Sequence, residues 1–252
     1  MEVITSRSNP GFKTLVAAKK DPNLILLEGR RLVEDALSRG IRPRMAALTP
    51  GYVEDYGRPG FSYILISDRL FGLLADTVTP QGILAGIDKP LASLEDMYES
   101  EEMIILDGIQ DPGNVGTIIR TAEAFGIGVV VVTQETASPF SGKAIRASMG
   151  SCLGVKITRA SPDELKKLPH KIISLVPQGE IPLDSRLFEG KCAICLGQEG
   201  SGVSKEMLKI SHKRVHIPMK GPTESLNVAV AAGIVMACLR GIMGKEGVCH
   251  FE

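Results

Sequence analysis

Short apolar runs alternate along the chain with segments whose apolar positions recur at helical spacing. In the first ninety residues the runs predict strands at residues 24–27, 45–48, 63–66 and 83–87. The intervening segments predict helices at residues 9–20, 30–38 and 68–74, the second followed by Gly40 as a stop signal. This alternation is typical of a small α/β unit.

The same alternation restarts after residue 102. Apolar runs predict strands at residues 103–106, 129–132, 153–157, 172–176, 193–196 and 215–217, and helices at 115–125 and 225–239. Strands separated by helices predict a mostly parallel sheet with helices on both faces. The last helix is apolar nearly all round, so it must be covered on most sides.

A polar, acidic segment separates the two patterns. We interpret residues 91–101 as a linker between an N-terminal domain, 1–90, and a C-terminal domain, 102–252. The charge balance is +4 in residues 1–45, −8 in 46–107 and +4 in 108–252, although the net charge is zero. Basic patches at both ends are one interpretation, and a mixed, solvated surface explains the same counts.

Composition favours a soluble cytoplasmic protein. A chain of 252 residues with 44% hydrophobic content can bury a sizeable core. No run approaches the ~20 apolar residues of a membrane span, and the first ten residues lack the apolar core of a secretory signal. Five cysteines suit a reducing compartment. Cys192 and Cys195 lie within an apolar run that predicts a buried strand, so we expect no metal.

Three polar segments follow predicted strands, at the sheet edge where ligands of parallel sheets bind. In the first, Asp111-Pro112-Gly113 predicts a turn, Asn114 a helix cap, and Arg120 follows six residues later. The alternative is structural, with Asn114 as a cap only and Arg120 as a surface ion-pair residue. Polar residues recur around the turn, the cap and the helix of this segment, where a core does not need them, and this favours a functional site.

The second segment runs from Leu196 to Gly202 and contains three glycines, which let a backbone turn tightly against a ligand. Its spacing matches neither the G-x-G-x-x-G nor the Walker A pattern, and a ligand-free connector is the alternative. The third segment covers residues 217–227. There Ser225 is predicted to cap the last helix and Asn227 to lie in its first turn, and capping alone is again the alternative.

Two further observations narrow the chemistry. Lys143 and Arg146 form a short basic patch that contacts phosphates or is simply solvated. All four histidines fall outside the three segments, so the sequence does not support hydrolysis by a Ser-His-Asp set.

Together the three segments resemble the three motifs of the SpoU/TrmH family of RNA 2′-O-methyltransferases, in the SPOUT superfamily. Asn114 and Arg120 are similar to the first motif, and the second and third follow in order. The corresponding residues are Leu196, Gly197, Glu199 and Gly202 for the second motif, and Ile217, Pro218, Met219, Ser225, Leu226 and Asn227 for the third. The N-terminal half resembles the L30e-like substrate-binding domain of such enzymes, through Asn9-Pro10, residues 27–30 and residues 81–83.

The resemblance implies an α/β trefoil knot in the C-terminal domain, a rare exception to unknotted topology. It implies S-adenosylmethionine as methyl donor, RNA as substrate, with ribosomal RNA preferred over transfer RNA, and a homodimer. The donor-binding residues would be Leu196, Gly197, Gly200, Ile217, Met219, Ser225 and Leu226. The RNA-binding residues would be Arg30, Lys143 and Arg146.

The family's catalytic residues match Arg120, Asn114, Glu199, Ser225 and Asn227. A family base at Arg120 conflicts with an arginine pKa above ~12. Either Arg120 is unusually desolvated, or it anchors phosphate and lowers the pKa of the hydroxyl. Two alternatives stay open, a non-catalytic RNA- or ribosome-binding protein that retains the fold, and a base-methylating SPOUT enzyme.

Overall fold

The computed structural model describes residues 2–242, which form two compact units with the boundary between Lys89 and Pro90. In the first unit the strands are β1 (Leu24–Glu28), β2 (Met45–Leu48), β3 (Ile64–Leu65) and β4 (Ile83–Asp88). They form one sheet in the order β1-β4-β2-β3, where only β2 and β3 are parallel. The helices are α1 (Pro10–Ala18), α2 (Arg30–Ser38), α3 (Pro50–Tyr56) and α4 (Asp68–Leu74).

Helix α3 was not predicted, and its local sequence explains both its formation and the omission. The Thr49 side chain accepts a hydrogen bond from the backbone of Tyr52, and Pro50 occupies the first helical turn. Both features favour a helix start. With seven residues, of which only Tyr52 is buried, the helix offers too little apolar periodicity to detect.

The second unit contains one seven-stranded sheet in which every strand pair is parallel. Its strands are β5 (Glu102–Asp107), β6 (Val129–Val132), β7 (Lys156–Arg159), β8 (Lys171–Leu175), β9 (Ile181–Pro182), β10 (Cys192–Gly197) and β11 (Lys213–His216). Its helices are α5 (Leu94–Glu99), α6 (Pro112–Ala124), α7 (Gly142–Ser148), α8 (Pro162–Leu165), α9 (Lys205–Ile210) and α10 (Val228–Leu239). The predicted parallel sheet is confirmed.

The strand order β7-β6-β5-β10-β8-β11-β9 positions the polar segments. Strand β10 lies directly beside β5, with Leu196 opposite Leu106 and Gly197 opposite Asp107. The carboxyl ends of these two strands are therefore neighbours, although ninety residues separate them in sequence.

Three local predictions were wrong. Asp111, not Asn114, caps α6, because Pro112 already occupies the first helical turn. Asn227, not Ser225, caps α10, where its side chain accepts from the backbone of Ala229 and Val230. The predicted strand at 153–157 begins later, because Ser151–Leu153 forms a 3-10 turn before β7.

Residues 91–101 fold as part of the second unit. Ser93 and Asp96 form a capping box at the start of α5, and Met97 on that helix is fully buried in the core. Cys192 and Cys195 lie buried in β10, and burial raises the pKa of the Cys192 thiol to about 11. Within residues 2–242 no cluster of three metal-ligating side chains occurs, and no helix is long and apolar enough to cross a membrane.

Candidate active site

A cluster of three polar side chains joins the three polar segments. Glu199 Oε1 accepts a hydrogen bond from Asn114 Nδ2 at 2.8 Å and another from Asn227 Nδ2 at 2.7 Å. Asn227 Nδ2 also lies 3.3 Å from Asn114 Oδ1. One carboxylate oxygen of Glu199 thus joins two residues that lie 85 and 28 positions away in sequence. We call Asn114, Glu199 and Asn227 the amide–carboxylate cluster.

Helix capping orients Asn227. Its Oδ1 accepts from the backbone nitrogen atoms of Ala229 at 2.9 Å and Val230 at 3.3 Å. Because these two bonds fix the oxygen, the amide nitrogen must point away from the helix, toward Glu199. Asn114 lies in the first turn of α6, one turn past the capping residue Asp111.

The loop after β10 holds Glu199 in a tight turn. Gln198 and Gly202 exchange backbone hydrogen bonds of 3.0 and 2.8 Å, and Gly200 between them has a φ of +94°. At Gly197 a Cβ atom would lie 2.2 Å from the backbone of Gly202. Only glycine fits there, because the backbone of the same loop lies against this position. The predicted close approach of this segment to a ligand stays a prediction.

Further hydrogen bonds join this loop to the end of β5, and the sequence analysis did not predict them. Asp107 is 5% exposed, and its Oδ2 accepts from the backbone of Ser204 at 2.7 Å. The backbone nitrogen of Gly108 donates to the hydroxyls of Thr133 and Thr136. A carboxylate closing an apolar strand was the available signal for Asp107, since buried carboxylates need partners.

One of the three basic residues assigned to the site pairs with a carboxylate at the start of α6. Lys143 Nζ pairs with Asp111 Oδ1, and this hydrogen bond holds the pKa of the Asp111 carboxyl below its usual value. Arg146 lies in the last turn of α7 and is exposed. Arg120 is exposed on α6, and within residues 2–242 its side chain makes no hydrogen bond or ion pair. The structure therefore leaves the Arg120 guanidinium outside the amide–carboxylate cluster.

The loop between β11 and α10 is solvent-accessible along its length. Residues 218–227 are exposed, including the apolar side chains of Met219 and Leu226, at 38% and 36%. Ile217 is partly buried and Ser225 makes no hydrogen bond within the described residues. Exposed apolar side chains beside a polar cluster suit a ligand with both an aromatic ring and polar groups. Leu196, by contrast, is buried in β10.

Two family models match the chain, one for each unit. Residues 101–237 match the SpoU rRNA Methylase family. Residues 18–85 match the MRM3-like substrate binding domain.

Among curated relatives, RlmP of Bacillus subtilis, a 23S rRNA (guanosine(2553)-2′-O)-methyltransferase, is 34% identical over 224 residues. The match covers 87% of this chain and 89% of RlmP. An uncharacterised tRNA/rRNA methyltransferase of Synechocystis is 31% identical and is matched over 91% of its length, across 92% of this chain.

Solved structures share the fold over almost the whole chain. The AdoMet-bound rRNA methyltransferase from Sinorhizobium meliloti superimposes with a TM-score of 0.79 at 27% identity, covering 95% of this chain and 97% of that one. A TrmH-family structure from Porphyromonas gingivalis has a TM-score of 0.76 at 29% identity, covering 90% of this chain and 96% of that one.

Proposed function

Because the chain belongs to the SpoU rRNA methylase family and is an S-adenosylmethionine-dependent RNA 2′-O-methyltransferase, we propose that it methylates a guanosine of 23S ribosomal RNA. The observation that carries the proposal is the similarity to RlmP, which extends across both units. Transfer RNA is the second choice, since the Synechocystis relative is named for both RNAs. A ribosomal RNA substrate implies a cytoplasmic enzyme.

A ribose 2′-hydroxyl is a weak nucleophile at neutral pH, so the protein must align its oxygen and assist loss of its proton. S-adenosylmethionine supplies the methyl group as a sulfonium that needs no further activation. We assign alignment to the amide–carboxylate cluster, together with Ser225. The hydrogen bonds of the cluster join the three polar segments to one another through Glu199 Oε1, and within residues 2–242 Glu199 Oε2 accepts no hydrogen bond.

Arg120 is the group that we assign to the proton transfer. An arginine pKa above ~12 disfavours a role as free base, and the guanidinium is exposed in this chain. Both facts fit a charged guanidinium whose planar set of N–H donors binds phosphate and stabilises the developing alkoxide. The desolvated-base mechanism requires substrate to bury this side chain.

The donor would be held by the loops that follow β10 and β11. The residues assigned to it are Leu196, Gly197, Gly200, Ile217, Met219, Ser225 and Leu226. The tight backbone of the first loop and the exposed apolar side chains of the second fit such a ligand. Donor binding at millimolar concentration should raise the Tm by mass action.

We assign RNA capture to residues 1–90, with Arg30, and phosphate contacts near the reaction to Lys143 and Arg146. Phosphate contacts fix orientation and dominate affinity. Deleting residues 1–89 should abolish RNA binding, measured by filter retention, yet leave donor binding by calorimetry near normal. Unchanged RNA affinity of the truncated chain would give this domain another role.

The decisive experiment is ribose-methylation mapping of ribosomal RNA from cells that lack the gene. Loss of one 2′-O-methyl guanosine in 23S RNA, restored by the wild-type gene but not by Arg120→Ala, is the expected result. A lost site in transfer RNA would replace the substrate proposed here. An unchanged map of both RNAs would overturn the substrate proposal.

A further inference from the structure

A cavity lies within the N-terminal unit, far in sequence from all three motifs. Its volume is about 490 Å³, within the ~300–1,000 Å³ range of small-molecule sites. Its walls come from the start of α2, from α3 and α4, and from the turn before β4. It is therefore formed by one unit alone.

One wall carries two tyrosine rings, tilted by 41° to each other, with the Arg30 guanidinium over one of them. The Arg30 Cζ atom lies 4.5 Å from the centroid of the Tyr56 ring, and the Tyr52 and Tyr56 rings are 5.1 Å apart. Arg30 Nε donates to Glu34 Oε1 at 2.6 Å, which holds the guanidinium plane. Tyr56 is nonetheless 55% exposed. Nucleobases of unpaired RNA stack on this combination of aromatic ring and guanidinium.

The charged groups of the cavity favour a base over a phosphate. Arg30 is the one cation among the lining residues, and Glu34 already neutralises it. Asp55 and Asp68 also line the cavity and are exposed. Their carboxylates repel phosphate but accept hydrogen bonds from the N–H groups of a base, as from a guanine edge or an exocyclic amine.

Two glycines keep the cavity open. At Gly51 and Gly72 an added Cβ atom would meet nothing within 4 Å, and neither has a positive φ. A Cβ atom at either position therefore meets no clash and needs no strained backbone. Because both glycines line the cavity, we expect a larger side chain at either position to reduce its volume.

We propose that this cavity binds one unpaired nucleobase of the RNA substrate, stacked on the Arg30–Tyr56 pair with its N–H edge toward Asp55 or Asp68. The inference rests on the RNA substrate of the proposed function. It adds a site that reads an extrahelical base, distinct from the nucleotide that is methylated.

The test compares Gly72→Leu, which fills the cavity, and Tyr56→Ala, which removes the stacking surface, with Gly60→Leu as control. Gly60 also has open space around its Cβ position but does not line the cavity. With 23S RNA from cells lacking the gene, both cavity variants should raise Kd about tenfold or more. The kcat at saturating RNA and the Kd for S-adenosylmethionine should match wild type, as should all constants of Gly60→Leu.

Ultraviolet crosslinking in living cells supplies a second readout that does not depend on the identity of the RNA. Wild type should yield a ribonucleotide adduct on the peptide that contains Tyr52 and Tyr56, and Gly72→Leu should lose it. Wild-type affinity of Gly72→Leu, or an adduct that persists in it, would overturn the site. If 23S RNA is not methylated but the adduct forms in wild type alone, the substrate proposal fails and the base-binding site stands.

Discussion

At the scale of single residues, the site depends on one carboxylate oxygen that serves two amides. Glu199 Oε1 accepts from Asn114 and Asn227, which belong to the first turn of α6 and the cap of α10. Hydrogen bonds to a charged group contribute roughly 1.5–3 kcal/mol each. The cluster thus stabilises the relative position of three loops, in addition to any direct contact with substrate.

Asn227→Asp separates these two roles. Aspartate caps helices about as well as asparagine, but the introduced carboxylate would face Glu199 without a hydrogen to donate. We expect methyl transfer at pH 8 to fall at least about tenfold, since the hydrogen bond to Glu199 is lost. Repulsion raises the pKa of one carboxyl of the pair, so lowering the pH restores a shared proton.

The rate of Asn227→Asp relative to wild type should therefore rise as the pH falls from 8 toward 5.5. Asn227→Ala lacks both the cap and the proton-sharing group, and its relative rate should stay flat. Rates are measured with labelled donor at saturating RNA. A flat profile for Asn227→Asp would show that Glu199 and Asn227 do not act as a pair.

Arg120→Lys keeps the charge of the side chain but removes its planar fork. It should fold and bind donor like wild type, yet lose roughly 10²-fold in methyl transfer, the cost of one donor to a developing oxyanion. Arg120→Ala should lose at least as much, in kcat more than in KM. Arg69→Lys, an exposed helical arginine of the other unit, is the control. Near-wild-type turnover by Arg120→Ala would remove Arg120 from the mechanism and favour Glu199 for its role.

The sequence predicted the chemical importance of the site residues better than it predicted their local geometry. Asn227 was predicted in the first turn of an apolar helix, where a core gains nothing from an amide, and Asn114 was singled out by the polar groups around it. Their capping roles were misjudged because Asp111-Pro112 and Ser225 offer competing caps at nearby positions. Asp107 was missed because its partner, the backbone of Ser204, lies 97 residues away.

At the scale of elements, α6 carries Asn114 and Arg120, and α7 packs against it closely. At Gly116 on α6 an added Cβ atom would lie 2.3 Å from the carbonyl oxygen of Ala144 and 2.9 Å from the backbone nitrogen of Ser148. The absence of a side chain at Gly116 therefore sets the distance between the two helices, and with it the position of Lys143.

Gly116→Ala should consequently destabilise the protein although alanine favours helix by up to ~1 kcal/mol. Overpacking costs about 1–3 kcal/mol, so we expect the Tm to fall by several degrees, at roughly 2–4 °C per kcal/mol. Gly72→Ala makes the same change in a helix with open space and should leave the Tm equal or higher. Equal Tm values for both variants, by calorimetry, would contradict the packing argument.

Elements with a clear apolar run or period were predictable, and several short helices without one were not. The strands β5, β6 and β10 each contain a continuous apolar run, as strands buried on both faces do. Helices α8 and α9 span only four and six residues, and their buried positions are too few to give a period. Capping hydrogen bonds fix the starts of α3, α8 and α9, and these do not show as an apolar period in the sequence.

At the scale of the whole molecule, sequence pattern alone did not give the strand order. Placing β10 between β5 and β8 requires knowing which helices cross the sheet, and local propensity carries no such information. The motif resemblance implied the fold class but not this strand order, and the comparisons confirm the SPOUT fold class and the family. Assembly of the active site from three loops follows from that topology.

The last helix carries the prediction of a homodimer. Val230 on α10 is 53% exposed, and Met219 and Leu226 on the preceding loop are exposed too. The helix lacks charged residues between Val228 and Leu239, and exposed apolar surface of this kind marks an interaction site. We expect that part of residues 225–239, together with α6, is buried between two copies of the chain.

Light scattering at micromolar concentration should give twice the 27.0 kDa mass of the chain. Val230→Glu places a charge on the proposed interface, and an unpaired charge is costly to bury there, so this variant should shift toward monomer. Val78→Glu is the control, because Val78 is 99% exposed in the N-terminal unit and should leave the mass unchanged. A monomeric mass for the wild-type chain would contradict the dimer, and a dimeric Val230→Glu would move the interface off this face of α10.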